Sequence, residues 1–159
     1  MSITIRKGTI DDLPQVLALV QELAEYERAP QEVTNTVDDM ILDGFGENPI
    51  FKFFVAEDEA GIVGIALYYT AYSTWKGKTI YLEDLVVTER LRRGGVGKKL
   101  FDAVAQEAKE VGAKRFAWQV LDWNEPAISF YKKIGATLDG EWYNCRMTEE
   151  QLQQYTAQV

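Results

Sequence analysis

The chain contains no histidine and only one cysteine among its 159 residues. Both scarcities exclude chemistry. Without imidazole there is no Ser-His-Asp triad, no Cys-His pair and no zinc site of the His-Glu-x-x-His type. Any proton donor or acceptor must therefore be Asp, Glu, Tyr, Lys or Cys. A single cysteine rules out an intrachain disulfide framework. With no base beside it, Cys145 reads as a packed strand residue rather than a nucleophile. No metal site is expected. No apolar run is long enough to span a bilayer, and Met1-Ser2-Ile3-Thr4-Ile5-Arg6 alternates like a first strand rather than a signal peptide. These features point to a cytoplasmic protein without a membrane partner. Basic residues are the minority, 17 against 25 acidic, for a net charge of −8. Such a surface disfavours nucleic acid and attracts small cations.

What is present is an ordinary globular composition, 47% hydrophobic and 26% charged. One domain covering residues 1–159 is expected, large enough to bury a core. A strand at 3–6 leads to a helix with Leu13, Val16, Leu17, Val20, Leu23 and Ala24 on one face and Pro14 in its first turn. A short helix around Val37, Met40 and Ile41 ends at Gly44. Strands at 51–57 and 62–71 flank a turn at Asp58-Glu59-Ala60-Gly61, and a strand at 80–87 follows another at Lys76-Gly77-Lys78. A helix through Leu100, Phe101, Val104, Ala108 and Val111 stops at Gly112. Then come a strand at 115–121, a helix at 124–133 capped by Asn124, and a strand at 141–147. Thr148-x-x-Gln151 is a capping box that opens a terminal helix. The order β-α-α-β-β-β-α-β-α-β describes an α/β (α+β) fold, a mixed, mostly antiparallel sheet with helices on both faces.

Arg92-Arg93-Gly94-Gly95-Val96-Gly97 joins the strand at 80–87 to the next helix. A glycine-rich turn at a helix N-terminus leaves N–H donors pointing outward at the positive end of the helix dipole, a site for phosphate. A P-loop would need Gly at position 92 and Ser or Thr at 99, which are Arg92 and Lys99. A dinucleotide fingerprint starting at Gly95 would need a small residue where Leu100 stands. Both fail. An ordinary strand–helix turn with exposed basic residues remains open beside a phosphate loop.

The pattern Arg92-x-x-Gly95-x-Gly97 resembles the pyrophosphate loop of the GNAT N-acetyltransferases, whose co-substrate is acetyl-CoA. The similarity extends through Glu22-Leu23-Ala24-Glu25-Tyr26-Glu27, Asp43-Gly44-Phe45-Gly46-Glu47-Asn48-Pro49, Tyr72-Ser73-Thr74-Trp75-Lys76-Gly77-Lys78, Tyr81-Leu82-Glu83-Asp84, Leu121-Asp122-Trp123-Asn124 and Phe130-Tyr131-Lys132. These blocks look like the spermidine/spermine branch, and Ser73-Thr74-Trp75 and Leu121-Asp122-Trp123-Asn124 look more like its thialysine-acetylating members. The resemblance implies the GNAT acyl-CoA N-acyltransferase fold. It implies direct transfer of acetyl to a small primary amine (a polyamine, thialysine or a lysine-like amine) in a ternary complex. A protein-lysine or N-terminal acetyltransferase and a non-catalytic acetyl-CoA-sensing module are the alternatives.

Roles follow from the same resemblance. Glu83 is expected as base or amine binder, with Asp84 as its electrostatic partner. Simple alternation puts Tyr81, Glu83 and Leu85 on one face and Leu82, Asp84 and Val86 on the other, where an apolar setting raises the Glu83 carboxyl. Tyr131 is expected to protonate the departing thiolate, since a phenol stays protonated at neutral pH. Acetyl-CoA would be held by backbone groups of Leu85, Val86 and Val87, by Arg92, Arg93, Gly94, Gly95, Val96, Gly97 and Lys98, and by Asn124, Pro126 and Ala127. Tyr26, Glu27, Glu83, Asp84, Gln119 and Glu141 would line an acidic groove for the amine. The branch forms homodimers, and Trp142, Tyr143 and Met147 are candidates for that interface.

Overall fold

A computed structural model describes residues 2–156, which fall into two compact units divided between Gln119 and Val120. The first unit is built on one five-stranded sheet in sequential order, β1 (Thr4–Lys7), β2 (Lys52–Asp58), β3 (Gly61–Ser73), β4 (Gly77–Val87) and β5 (Arg115–Ala117). The first four pair antiparallel and β5 joins β4 in parallel. Helices α1 (Leu13–Tyr26) and α2 (Val37–Phe45) lie between β1 and β2, and α3 (Val96–Glu110) lies between β4 and β5. This is the mixed, mostly antiparallel architecture that the sequence order implies.

Each element follows from local chemistry. Pro14 sits in the first turn of α1, where a missing N–H costs nothing. Arg6 of β1 donates to both carboxylate oxygens of buried Asp12 at 2.8 and 2.9 Å, tying the sheet edge to the start of α1. Gly61 and Gly77 supply the positive φ, 131° and 106°, that the two hairpin turns require. The apolar face of α1 (Leu13, Val16 and Leu19) packs with Met40 of α2 against Phe53, Val55, Ile65, Leu67 and Val86. On α3, Leu100 and Val104 are fully buried. Gly64 permits this approach, because a Cβ there would stand 2.9 Å from Leu100 Cδ1 and 3.0 Å from the Val86 carbonyl. Truncating Leu100 to alanine would cost about 2–5 kcal/mol.

One irregularity in the sheet matters for function. Asp84 pairs with Leu67, whereas Leu82 pairs with Tyr68, so Glu83 is an extra residue in β4. Such a β-bulge bends its strand and shifts the side-chain alternation by one. The parallel ladder from β4 to β5 covers only Thr79–Tyr81, ending just before the bulge. The strand expected at 115–121 is accordingly three residues long.

The second unit contains α4 (Glu125–Lys133) and α5 (Glu149–Gln154). Asn124 caps α4 through its side chain, and Thr148 and Gln151 form the expected capping box on α5. The strand expected at 141–147 is absent. Its alternating pattern suits a sheet, but among the described residues no strand of this unit lies beside it, and a lone strand has nothing to satisfy its backbone. Trp142, Tyr143 and Met147 are exposed as a result, and so is Cys145, which is not the packed strand residue expected.

Candidate active site

A turn of 3₁₀ helix at Glu89–Leu91 carries β4 into the glycine loop. Arg93 and Gly95 both adopt left-handed backbone, with φ 70° and 85°. Such a conformation next to a helix start turns successive N–H groups toward a common concavity, a nest for an anion. Gly95 is the N-cap of α3 and offers no side-chain acceptor, so the first-turn donors Val96, Gly97 and Lys98 have no side-chain cap. Val96 is buried and anchors the turn. Gly95 is needed for its backbone angle and not for crowding, since a Cβ there would meet nothing within 4 Å among the described residues. A pyrophosphate fits this cradle by charge, donor count and openness.

The basic side chains of the loop are partly engaged. Lys98 pairs with Asp102 one turn further along α3, at 2.7 Å. Arg92 donates from Nε to the Val87 carbonyl at 3.1 Å and from Nη2 to Glu22 at 3.4 Å, and its guanidinium lies 5.0 Å from the centre of the Tyr26 ring. Arg93 and Gly94 lie exposed at the loop surface.

Upstream, the β4 edge is open beyond Tyr81 in the sheet of this unit. The Thr88 N–H donates to the Val63 carbonyl at 2.9 Å, which fixes the phase of the antiparallel ladder. Val86 therefore directs its N–H and C=O at Ile65 of β3, while Leu85 and Val87 direct theirs to the open edge. Of the three residues expected to pair with pantetheine amides, Val86 is thus committed to the sheet, and the Val87 carbonyl is taken by Arg92. The Leu85 N–H and C=O and the Val87 N–H remain for an added strand-like partner.

The bulge overturns the expected alternation. Val86 and Asp84 pair with Ile65 and Leu67, two core residues on the α1 face. Glu83 is on that face too, because its carboxylate accepts a hydrogen bond from the Tyr69 hydroxyl at 3.3 Å. Both carboxylates therefore face the α1 side, together with Glu27 at the end of that helix. Glu83 is exposed, so the apolar setting expected for it is absent. It is Asp84 whose carboxyl is pushed up to about 6, by burial first and then by the neighbouring charges of Glu83 and Glu27. Burial also raises the Glu27 carboxyl. Burial and Glu83 push the Tyr69 and Tyr81 phenols up, keeping them neutral. Tyr26 is 39% exposed at the last turn of α1. Gln119 lies just past β5 and is exposed.

Two further residues, to which the sequence assigned no role, join the site. Tyr69 faces Tyr81 across the hairpin with ring centres 5.3 Å apart, and Glu22 anchors Arg92 and accepts from Thr88 Oγ1 at 3.1 Å. Counting back from the Lys76-Gly77-Lys78 turn would have paired the two tyrosines. Nothing in the sequence marks the bulge.

In the second unit, Tyr131 is 8% exposed on α4. The Asn124 carboxamide oxygen accepts from the Ala127 N–H at 3.4 Å, so that amide is already used by the cap. Pro126 is exposed in the same turn, and Glu141 lies in the exposed stretch before α5.

An anion cradle at a helix start thus lies beside an open strand edge and a bulged strand that presents carboxylates. Residues 16–136 match the acetyltransferase (GNAT) family, and the chain belongs to that family. It is similar to the thialysine N-epsilon-acetyltransferase of Sus scrofa, 38% identical across 96% of each chain. A human spermidine/spermine N(1)-acetyltransferase-like protein 1 is 34% identical over 93% of this chain and 23% of its own length. Among solved structures, an integron cassette protein from the mobile metagenome of V. cholerae superposes with a TM-score of 0.78 at 25% identity, covering 96% of each chain. The protein is accordingly an N-acetyltransferase, and acetyl-CoA is the co-substrate of its family. Among the described residues no helix is long and apolar enough to cross a membrane.

Proposed function

We propose that the protein transfers acetyl from acetyl-CoA directly to a small primary amine with a second charged group, of the thialysine, lysine-like or polyamine kind. The observation that carries this is the pair Glu83 and Asp84 on the α1 face of the bulged strand, with Glu27 at the end of α1, beside the open β4 edge. Relatives named for thialysine and spermidine/spermine acetylation support the same class of acceptor. The family match runs from residue 16 to 136, across both units, which favours a single acetyltransferase domain over 1–159.

The residues divide the work as follows. The loop Arg93–Lys98 holds the pyrophosphate through backbone donors, and the Leu85 and Val87 edge groups hold the pantetheine amides. That co-substrate supplies the activated thioester. Glu27 and Asp84 attract the ammonium. Glu83, with Asp84 beside it, removes a proton so that the neutral nitrogen attacks the carbonyl carbon. A C–N bond forms, the C–S bond breaks, and the departing thiolate takes a proton. Tyr131 is assigned that donation, because a phenol remains protonated at neutral pH and no imidazole exists in the chain. Asn124, Pro126 and Ala127 are assigned to the thiol end of the co-substrate, and Tyr26, Gln119 and Glu141 to the amine. The exposed Trp142, Tyr143 and Met147 favour a homodimer, and the lack of cysteines for a disulfide framework favours the cytoplasm.

A panel comparing kcat/KM for thialysine, lysine, putrescine, spermidine and a lysine-containing peptide tests the proposal. Efficient acetylation of the small amines is expected. Activity confined to the peptide would overturn it.

A further inference from the structure

Arg92 is the first residue of the phosphate loop, and basic residues at such positions ordinarily serve the anion. Here the side chain has three other partners. Its Nε holds the Val87 carbonyl at 3.1 Å, its Nη2 reaches Glu22 at 3.4 Å, and its plane lies over Tyr26 at 5.0 Å. Glu22 is fixed from the other side by Thr88, at 3.1 Å from its hydroxyl. Glu22 and Tyr26 are one turn apart on α1, so both face the same strip of β4 and loop. The next residue, Glu27, is the helix cap and contributes to the charge felt by Asp84.

We propose that Arg92 is a positioning residue that locks the C-terminal turn of α1, with Tyr26 and Glu27, to the phosphate loop, so that loop geometry sets the amine side of the site. This rests on the assignment of the loop to pyrophosphate and of the α1 end to the amine. A guanidinium suits the task because its planar fork serves a carbonyl, a carboxylate and an aromatic face at once. An ammonium cannot. Charge at Arg92 is thus not sufficient; shape is required.

Initial rates with a thialysine-type amine and calorimetric titration with coenzyme A, run on wild type, Arg92→Lys, Glu22→Gln and the double variant, test the lock. Thermal melts establish that each variant is folded. Glu22→Gln removes no loop residue, yet the amine KM should rise about fivefold, while coenzyme A affinity stays within about twofold. Arg92→Lys should raise the amine KM to a similar extent despite retaining the charge. The double variant should be no worse than either single one, because both break the same tie. An unchanged amine KM in Glu22→Gln, rescue by Arg92→Lys, or KM effects that multiply in the double variant would each overturn the proposal. Gly95→Val separates the underlying assignment: if it left coenzyme A affinity intact, the loop itself would not be the pyrophosphate site.

Discussion

Replacing Asp84 with asparagine should stabilise the free protein at neutral pH while impairing catalysis. The Asp84 carboxyl stands at about 6 in the fold against an ordinary value of 3.8, through burial and the charges of Glu83 and Glu27. A raised acid binds its proton more tightly in the native state. Between 3.8 and about 6 the folded chain therefore holds more protons than the unfolded one, and stability falls as pH rises through that window. Holding the carboxyl at about 6 rather than 3.8 costs about 3 kcal/mol of stability by pH 7. Asparagine has similar shape and no charge, so it escapes this loss. With some relaxation around the site, the gain at pH 7.5 should be about 1–3 kcal/mol, and only a few tenths at pH 4, where Asp84 is neutral in the fold and its unfolded carboxyl has only begun to ionise.

Urea denaturation of wild type and Asp84→Asn at pH 4, 5.5 and 7.5 reads this directly. The difference between the two proteins should grow with pH and level off above pH 7. Acetyl transfer at pH 7.5 should fall in the same variant. Equal stability at all three values, or a variant weaker than wild type at pH 7.5, would mean that Asp84 is solvated or paired, and the electrostatic account of the bulge would be wrong.

Gly95→Val forces a β-branched residue to a φ of 85°. A strain of about 1–3 kcal/mol, if it falls on the bound conformation, corresponds to about a five- to 150-fold loss of coenzyme A affinity, read by calorimetry, and undiminished binding would refute the loop assignment. Tyr131→Phe should lower turnover by about a hundredfold with little change in coenzyme A binding, and wild-type turnover would return the hydroxyl to a packing role. Light scattering at micromolar concentration should report twice the 18.1 kDa chain mass if the exposed 142–147 segment marks an interface. A monomer mass would refute the dimer.

The sequence specified the elements well wherever local chemistry decided them. Gly61, Gly77 and Gly112 mark turns because each adopts a positive φ that other residues resist. Asn124 and Thr148 mark helix starts because their side chains accept first-turn N–H groups. Where the outcome depended on a non-local partner, the pattern misled. The stretch at 141–147 alternates like a strand, but alternation states only which face would be buried and not whether a neighbour exists. At Tyr81-Leu82-Glu83-Asp84 the period of two held up to the bulge and then reversed. An insertion of one residue into a ladder leaves every residue type unchanged, so composition carries no trace of it. The left-handed turn into α3 was legible from the loop's glycines. The engagement of Arg92 was not, because its partners Glu22 and Tyr26 are brought to it by the fold of α1 over the sheet.

The bulge ties these points together physically. A regular β4 would have sent Glu83 and Asp84 to opposite faces, leaving a single carboxylate on the α1 side. The extra residue brings both to one face, where Glu27 joins them. Like charges gathered in a half-buried place oppose one another and oppose folding. A sequence selected for stability alone would relieve that repulsion with an amide or an apolar residue. A cation placed among these carboxylates would offset that repulsion, which is what the proposed amine supplies. The β4–β5 ladder ends at Tyr81, just before the bulge, and leaves the Leu85 N–H and C=O and the Val87 N–H at the open edge. The bulge thus stands beside both features that the proposed function uses, the carboxylates on the α1 face and the open strand edge. A deletion that restored regular pairing would be expected to return Glu83 and Asp84 to opposite faces and to lower the Asp84 carboxyl.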